Sequence, residues 1–209
     1  MLISVITFLV IGYLIGCIHG SKVAQFLSGV DLKKAGFGNA GASNATLSLG
    51  WKYGVLVALI DIGKGILAII LLNIYLQSTS EFSTTDSWML LYIIGTGVII
   101  GHNFPFYMHF KGGKGTASII GISLVLDWKM GLVALSLFVI LSLVTNYLVI
   151  GVAVFYVTFC ISTILWIPGI WPALLTLLLT TMAIVLHTEN IKRLLTREEP
   201  TISSAFRKK

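Results

Sequence analysis

Charge is scarce in this sequence. Only 11% of its 209 residues are Asp, Glu, Lys or Arg, against about 25% in soluble chains. Set beside 56% hydrophobic residues, that shortage excludes a soluble globular domain. Cysteine is nearly absent too. Cys17 and Cys160 both fall in apolar segments, which leaves no disulfide framework and no metal-ligand spacing. Packing is the stronger reading of both. No basic residue precedes the first apolar block, 2–18, and further apolar blocks follow it. It reads as a retained helix, not a cleaved signal peptide. One membrane domain is expected over the whole of 1–209.

What the chain has instead is long apolar runs, the signature of transmembrane helices. Seven can be marked, at about 2–20, 52–76, 88–107, 115–126, 130–146, 148–166 and 171–188. The expected fold is therefore all-α, an integral membrane protein of about seven transmembrane helices with short loops. The fourth run is short for a crossing, which needs about 20 residues. It predicts an irregular or half-buried helix shielded by its neighbours.

Charge placement sets the orientation. The 76–87 loop holds Glu81 and Asp86 and no basic residue, so it belongs outside. Lys22, Lys33, Lys34 and Lys52 lie in the 21–52 loop, and Lys111 and Lys114 in the 108–115 loop. The tail adds Lys192, Arg193, Arg197, Arg207, Lys208 and Lys209. By the positive-inside bias, 12 of the 14 basic residues then face the cytoplasm. The formal charge of +6 is read the same way, and no nucleic-acid partner is expected.

Two glycine-rich polar loops interrupt the apolar runs on that one face. The first is Gly36-Phe37-Gly38-Asn39-Ala40-Gly41-Ala42-Ser43-Asn44, and the second is Phe110-Lys111-Gly112-Gly113-Lys114-Gly115. Glycine-rich backbone can turn several N–H groups toward one anion, and a nearby lysine adds charge, which suits a phosphate. The first loop reads equally as a tight interhelical connection. The second is not a P-loop, because Gly115 stands where Ser or Thr would follow the lysine. Lys111 fits positive-inside anchoring, whereas Lys114, flanked by glycines, fits phosphate contact better. His102, in Gly101-His102-Asn103-Phe104-Pro105, lies near the end of a span, where a packing or interfacial role is plausible.

Asp61 and Lys64 sit three apart inside the second span, on one helical face. Ionisable groups at such depth are costly, which leaves a buried structural pair or a substrate contact. At the cytoplasmic end of the last span, His187 and Asn190 are likewise three apart, while Glu189 points elsewhere. Histidine there can hold or relay a proton, or simply end the helix in the interface. No Ser-His-Asp arrangement and no metal-ligand cluster can be assembled from the spacing.

Together these residues resemble the bacterial acyl-phosphate:glycerol-3-phosphate acyltransferases, the PlsY family. Members typically show Gly-Ser-Gly-Asn-x-Gly-Ala-Thr-Asn, matched at 36–44, and Gly-His-x-Phe-Pro, matched at 101–105. Phe-Lys-Gly-Gly-Lys-Gly is matched at 110–115, and Asp-x-x-Lys-Gly at Asp61, Lys64 and Gly65. His-x-Glu-Asn-Ile-x-Arg-Leu is matched at His187, Glu189, Asn190, Ile191, Arg193 and Leu194. The resemblance covers nearly the whole chain.

It implies transfer of an acyl group from acyl phosphate to the 1-hydroxyl of glycerol 3-phosphate. The products would be lysophosphatidic acid and phosphate, made in phospholipid biosynthesis at the cytoplasmic face of a bacterial plasma membrane. Acyl phosphate is a mixed anhydride with a good leaving group, so positioning and charge stabilisation suffice without a covalent intermediate. Carried onto this sequence, Lys114 with Gly112, Gly113 and Gly115 would hold one phosphate, and Asn39, Gly41, Ser43 and Asn44 would form a second cradle. Lys64 is counted with the substrate-binding residues, and His187 and Asn190 would orient the acceptor. No cofactor and no metal is expected.

The departures are as specific as the matches. The family's Ser-Ile-Pro is Cys17-Ile18-His19 here, the first-loop serine is Phe37, and the threonine is Ser43. The arginine that follows that loop aligns with Leu47. Thr-Arg-Tyr-Val-Ser reads Thr145-Asn146-Tyr147-Leu148-Val149, and Arg-His-Arg-Glu-Asn reads Leu186-His187-Thr188-Glu189-Asn190. Arginine is the side chain best shaped for bidentate phosphate binding, so its loss bears most on the acceptor. A divergent enzyme for another phosphorylated acceptor, or a non-catalytic transporter or partner protein, stands as the alternative. No internal repeat of the transporter kind is visible.

Overall fold

The computed structural model describes residues 1–79 and 81–207. Lys208 and Lys209, counted above with the basic tail, lie outside the described residues, as does the side chain of Arg207. Among the described residues every regular element is a helix. In chain order they are α1 (Leu2–Gly16), α2 (Gly20–Ser28), α3 (Ala42–Leu49), α4 (Trp51–Ser78) and α5 (Thr84–Asn103). A 3-10 turn, Phe106–Met108, precedes α6 (Thr116–Leu126), α7 (Trp128–Thr145) and α8 (Leu148–Trp166). Then come α9 (Ile170–Leu186), α10 (Thr188–Leu195) and α11 (Ile202–Arg207).

Each of the seven apolar runs is a helix, yet they differ in how they meet the bilayer. Five stretches are long and apolar enough to cross, and six if α9 and α10 count as one span across their 52° bend. The remaining run, α6, has 11 residues and rises only about 16 Å at about 1.5 Å per residue. It packs on α4 so closely that a Cβ at Gly121 would lie 2.2 Å from the Ile62 carbonyl oxygen. A short helix survives at that depth because protein, not lipid, covers its ends. The first run also differs from the expected 2–20, because α1 stops at Gly16 and α2 restarts at Gly20.

The core sits around α5. Almost every side chain from 89 to 103 is buried, including Thr96, His102 and Asn103. A helix that is apolar on all sides belongs inside the bundle, and α5 reads that way. Its tightest neighbour is α1, which turns Leu2, Ile3, Ile6 and Leu14 outward. Between these helices, Gly12 and Gly16 face Gly97 and Gly101. A Cβ at Gly16 would come 2.2 Å from the Val98 carbonyl oxygen, and one at Gly101 2.1 Å from that of Tyr13. Two facing pairs of glycines at spacing four let the backbones touch, the main source of helix attraction where lipid is as apolar as leucine. That contact fixes the C-terminal end of α5, from which the second glycine-rich loop departs.

Candidate active site

The second loop is folded back onto the end of α5. The Gly112 amide donates to the Asn103 carbonyl at 2.9 Å, and that of Gly113 to the His102 carbonyl at 3.1 Å. A Cβ on Gly112 would lie 2.1 Å from the His102 carbonyl oxygen, and one on Gly113 2.1 Å from His102 Nε2. These two glycines are thus needed for close approach, and their N–H groups are already bonded. Gly115, at φ +81°, then turns the chain into α6. Of the loop's two lysines, Lys111 is exposed and Lys114 is half-buried.

Lys114 donates to Asn190 Oδ1 on α10. Asn190 Nδ2 in turn donates to Glu199 Oε1 at 2.5 Å, and Arg193 Nε donates to Glu199 Oε2 at 2.7 Å. The Arg193 guanidinium lies 4.4 Å from the ring centre of Phe37, in the first loop. Glu199 reaches this place through the way α10 ends. Arg197 adopts φ +61°, while its amide donates to the Leu194 carbonyl and the Glu198 amide to that of Arg193. This is the paired-bond helix stop that turns the chain back on itself. Burial, and next the Arg193 charge, push the Lys114 amine down to about 8.

His187 stands at the bend between α9 and α10, nearly buried. Its Nδ1 lies 2.8 Å from the Ala183 carbonyl oxygen. A carbonyl only accepts, so Nδ1 carries the proton and the neutral ring keeps its lone pair on Nε2. His187 also lines an apolar groove of about 280 Å³ between α8 and α9, with Val152, Ala153, Tyr156, Ile191 and Leu194. The short helix α10 therefore turns Asn190 and Arg193 toward Lys114, and Ile191 and Leu194 toward the groove.

The first loop is organised by Asn44. Its Oδ1 accepts from the Phe37 amide at 2.9 Å, and its Nδ2 donates to the carbonyls of Leu32, Ala35 and Asn39. Both ends of that amide are engaged within the loop. Asn39 Oδ1 is buried with no protein partner among the described residues. Gly41 caps α3, and Ser43 is exposed in its first turn.

Lys64 belongs to a separate cluster. Its ammonium donates to the carbonyls of Gly16 at 2.9 Å and Ile18 at 2.6 Å, and lies 2.7 Å from His102 Nδ1. Asp61 Oδ1 is 3.1 Å away. His19 stacks on His102 at 4.6 Å between ring centres. The nitrogens of His19 and His102 and an oxygen of Asp61 lie within 4.8 Å of one another, a spacing a metal could use. The Lys64 ammonium already sits among them as a cation. The cluster meets the second loop at His102, under Gly113.

The family model described as glycerol-3-phosphate acyltransferase matches residues 6–197. The chain belongs to this family. It is 44% identical over 199 residues to glycerol-3-phosphate acyltransferase 1 of Oceanobacillus iheyensis, covering 95% of each chain. It is 35% identical over 198 residues to glycerol-3-phosphate acyltransferase 2 of Thermotoga maritima, covering 94% of this chain and 95% of that one. Among solved structures it resembles PlsY, an integral membrane glycerol 3-phosphate acyltransferase, in its glycerol 3-phosphate form. There the TM-score is 0.84 and the identity 30%, over 95% of this chain and 96% of that one. The lysophosphatidic acid form gives 0.81 and 29%, over 96% of both.

Within this acyltransferase family chain, the structure brings Lys114, Asn190 and His187 to the two sides of α10, and sets Lys64 apart. Sequence reading missed Glu199 and the partnership of Phe37 with Arg193. Glu199 had no motif to point to it, and the aromatic contact joins the first loop to α10 across 156 positions, from 37 to 193. The groove was equally hidden, because its lining residues read as ordinary apolar helix.

Proposed function

We propose that the protein transfers an acyl group from acyl phosphate to the 1-hydroxyl of glycerol 3-phosphate, releasing lysophosphatidic acid and inorganic phosphate. The observation that carries this is the junction at α10, where a lysine–asparagine pair and an apolar groove meet at His187. A phosphorylated fatty acyl donor needs both environments within a few ångströms of its reacting carbon. The groove takes the acyl chain, and the Lys114 ammonium takes the donor phosphate. Asn39 and Ser43, at the mouth of the first loop, with the capping backbone at Gly41, receive acceptor oxygens. Asn44 holds that loop in shape, and Lys64 braces the break between α1 and α2 from below.

In the reaction the acceptor hydroxyl oxygen attacks the acyl carbonyl carbon. A new carbon–oxygen ester bond forms, and the bond from that carbon to the phosphate oxygen breaks. His187 Nε2 accepts a hydrogen bond from the hydroxyl and fixes its direction, a positioning effect. The proton passes to the departing phosphate, whose growing charge Lys114 stabilises in a site shielded from water. Purified protein given acyl phosphate and glycerol 3-phosphate is expected to release phosphate and lysophosphatidic acid in equal amounts. A larger side chain at Ala153 shortens the groove, so Ala153→Phe should shift preference toward shorter acyl chains while keeping turnover on them. Phosphate release without lipid product would overturn the reading.

A second acceptor remains a distinct reading, since Leu47, Asn146 and Leu186 carry no cation. Asn146 is engaged elsewhere, donating to Ser203 Oγ at 2.9 Å and accepting from the Ser203 amide at 3.0 Å. Assaying a panel of phosphorylated polyols separates the two. The charge bias supports a cytoplasmic orientation of this site, and the family reading a bacterial plasma membrane. With Cys17 and Cys160 replaced, Thr201→Cys should be labelled only from the cytoplasmic side, and labelling from outside would reverse the orientation.

A further inference from the structure

Glu199 is carried on a strap of chain that is pinned at both ends. Upstream, Arg197 turns through φ +61°, and the Arg193 carbonyl accepts the amides of Glu198 at 2.7 Å and Glu199 at 3.1 Å. Downstream, the Ile202 amide donates to the Asn146 carbonyl at 2.9 Å. The Asn146 side chain bonds Ser203 through both its nitrogen and its oxygen, and Asn146 itself closes α7 at φ +63°. Two residues with side chains thus hold the left-handed conformation that favours glycine, so the path of the strap is maintained at a cost. Its result is selective. The Glu199 side chain is 8% exposed, whereas its neighbour Glu198 stays in solvent.

A carboxylate buried to that degree needs donors, and it has one on each oxygen. Oε1 accepts from Asn190 Nδ2 at 2.5 Å, and Oε2 from Arg193 Nε at 2.7 Å. The first of these bonds decides what Asn190 can do. Lys114 only donates and the carboxylate only accepts, so the amide between them has one allowed orientation, with Oδ1 toward the lysine. Held at its nitrogen, that amide cannot turn its oxygen away. Asn190 is also the one side chain bonded to the Lys114 ammonium among the described residues.

We infer that Glu199 is a positioning residue, which acts through the Asn190 amide to hold the Lys114 ammonium where the donor phosphate binds. This rests on the acyltransferase reading above. It also gives Asn146 a part in the site, because by pinning the strap it keeps the carboxylate within reach of Asn190. The charges acting on Lys114 come from Arg193 and Glu189 on α10 and from Glu199 beyond it, with His187 at the bend as a further titratable group. Glu199 opposes the effect of Arg193 more strongly than Glu189 does.

The test is steady-state kinetics on the full-length protein in detergent, varying acyl phosphate at saturating glycerol 3-phosphate from neutral to alkaline pH. Glu199→Gln keeps the shape of the side chain and removes its charge. Its kcat/KM for acyl phosphate should fall about tenfold, the loss of one charge-assisted tie. In a Lys114→Ala background the same change should cost less than about twofold, because a residue that acts through Lys114 then has nothing to act on. The alkaline limb of Glu199→Gln should also move to lower pH, since the amine has lost an acidic neighbour. Asn146→Gly keeps the left-handed turn but cuts the side-chain ties of the strap, so it should lower kcat/KM in the same non-additive way. It carries the same cycle if Glu199→Gln does not fold. Glu198→Gln removes an equal charge from solvent and should leave kcat/KM within about twofold. Losses that multiply in full with Lys114→Ala, as a purely structural role would give, would overturn the inference. So would an alkaline limb that stays in place, or an equal loss in Glu198→Gln. Wild-type protein that forms no lysophosphatidic acid would instead remove the acyltransferase reading itself.

Discussion

Lys114→Ala is expected to turn over about ten to a hundred times more slowly than the wild-type protein. A hydrogen bond to a charged group contributes about 1.5–3 kcal/mol, and each 1.4 kcal/mol is tenfold in rate. The neighbouring Lys111 is exposed and has no side-chain bond among the described residues, so Lys111→Ala should lose far less. Near-wild-type rates for both would mean that the second loop holds no phosphate. The pH profile supplies an independent check. With the Lys114 amine pushed down to about 8 by burial and by Arg193, the functional cation is present below that pH and lost above it. Glu199 and Glu189 oppose that fall by favouring the charged form. Values of kcat/KM should therefore decline as pH rises through about 8. Lys114→Arg keeps its charge throughout, so its profile should stay flat there at a lower plateau. A falling limb identical in the two proteins would assign the titration to another group.

Asp61→Ala should lower stability by about 3–5 kcal/mol, the usual cost of stripping one partner from a buried ion pair. Lys64 would keep its carbonyl acceptors and His102, but no carboxylate would balance its charge. The Asp61 oxygen also accepts from the Gly20 amide at 3.3 Å, so the start of α2 would lose its tie as well. Thermal unfolding in detergent should show a melting temperature lower by roughly 10 °C, at about 2–4 °C per kcal/mol. Removing both charges, as Asp61→Leu with Lys64→Met, should recover at least half of that loss, because apolar replacements of matching size often equal a buried pair. A double variant no more stable than Asp61→Ala would mean that Lys64 itself holds the α1–α2 break together. A single variant as stable as wild type would show that the pair does not brace the fold.

Hydropathy made the helices legible, and composition made the two polar loops stand out. Even the oddity of α6 was readable, because 11 residues cannot cross a bilayer unaided. The chemistry of the loops was only half legible. Glycine at 112 and 113 suggests free amides, yet only the fold reveals that His102 and Asn103 take them. Asn44 looks like a ligand donor until its four loop partners are seen. The facing glycines at 12, 16, 97 and 101 were visible as spacings, but nothing local says which helix meets which. Asp61 and Lys64 announced themselves by charge, whereas the carbonyls of Gly16 and Ile18 that complete their site are identical to any other carbonyls in the chain. Long-range pairing, in short, is a property of closure and leaves no local mark.

The Lys64 cluster also dictates an order of biosynthesis. Its carbonyl partner at Gly16 is synthesised 48 residues earlier, and His102 follows 38 residues later. When α4 enters the bilayer, the lysine therefore travels with Asp61 one turn away, sparing much of the roughly 2.5–3.5 kcal/mol that a lone charge costs at a helix centre. Until α5 follows, that pair lacks its imidazole, and α1 lacks the glycines it must touch. Both shortfalls end with the insertion of the same helix. A nascent chain paused before α5 lacks both sets of contacts, and α5 supplies them together.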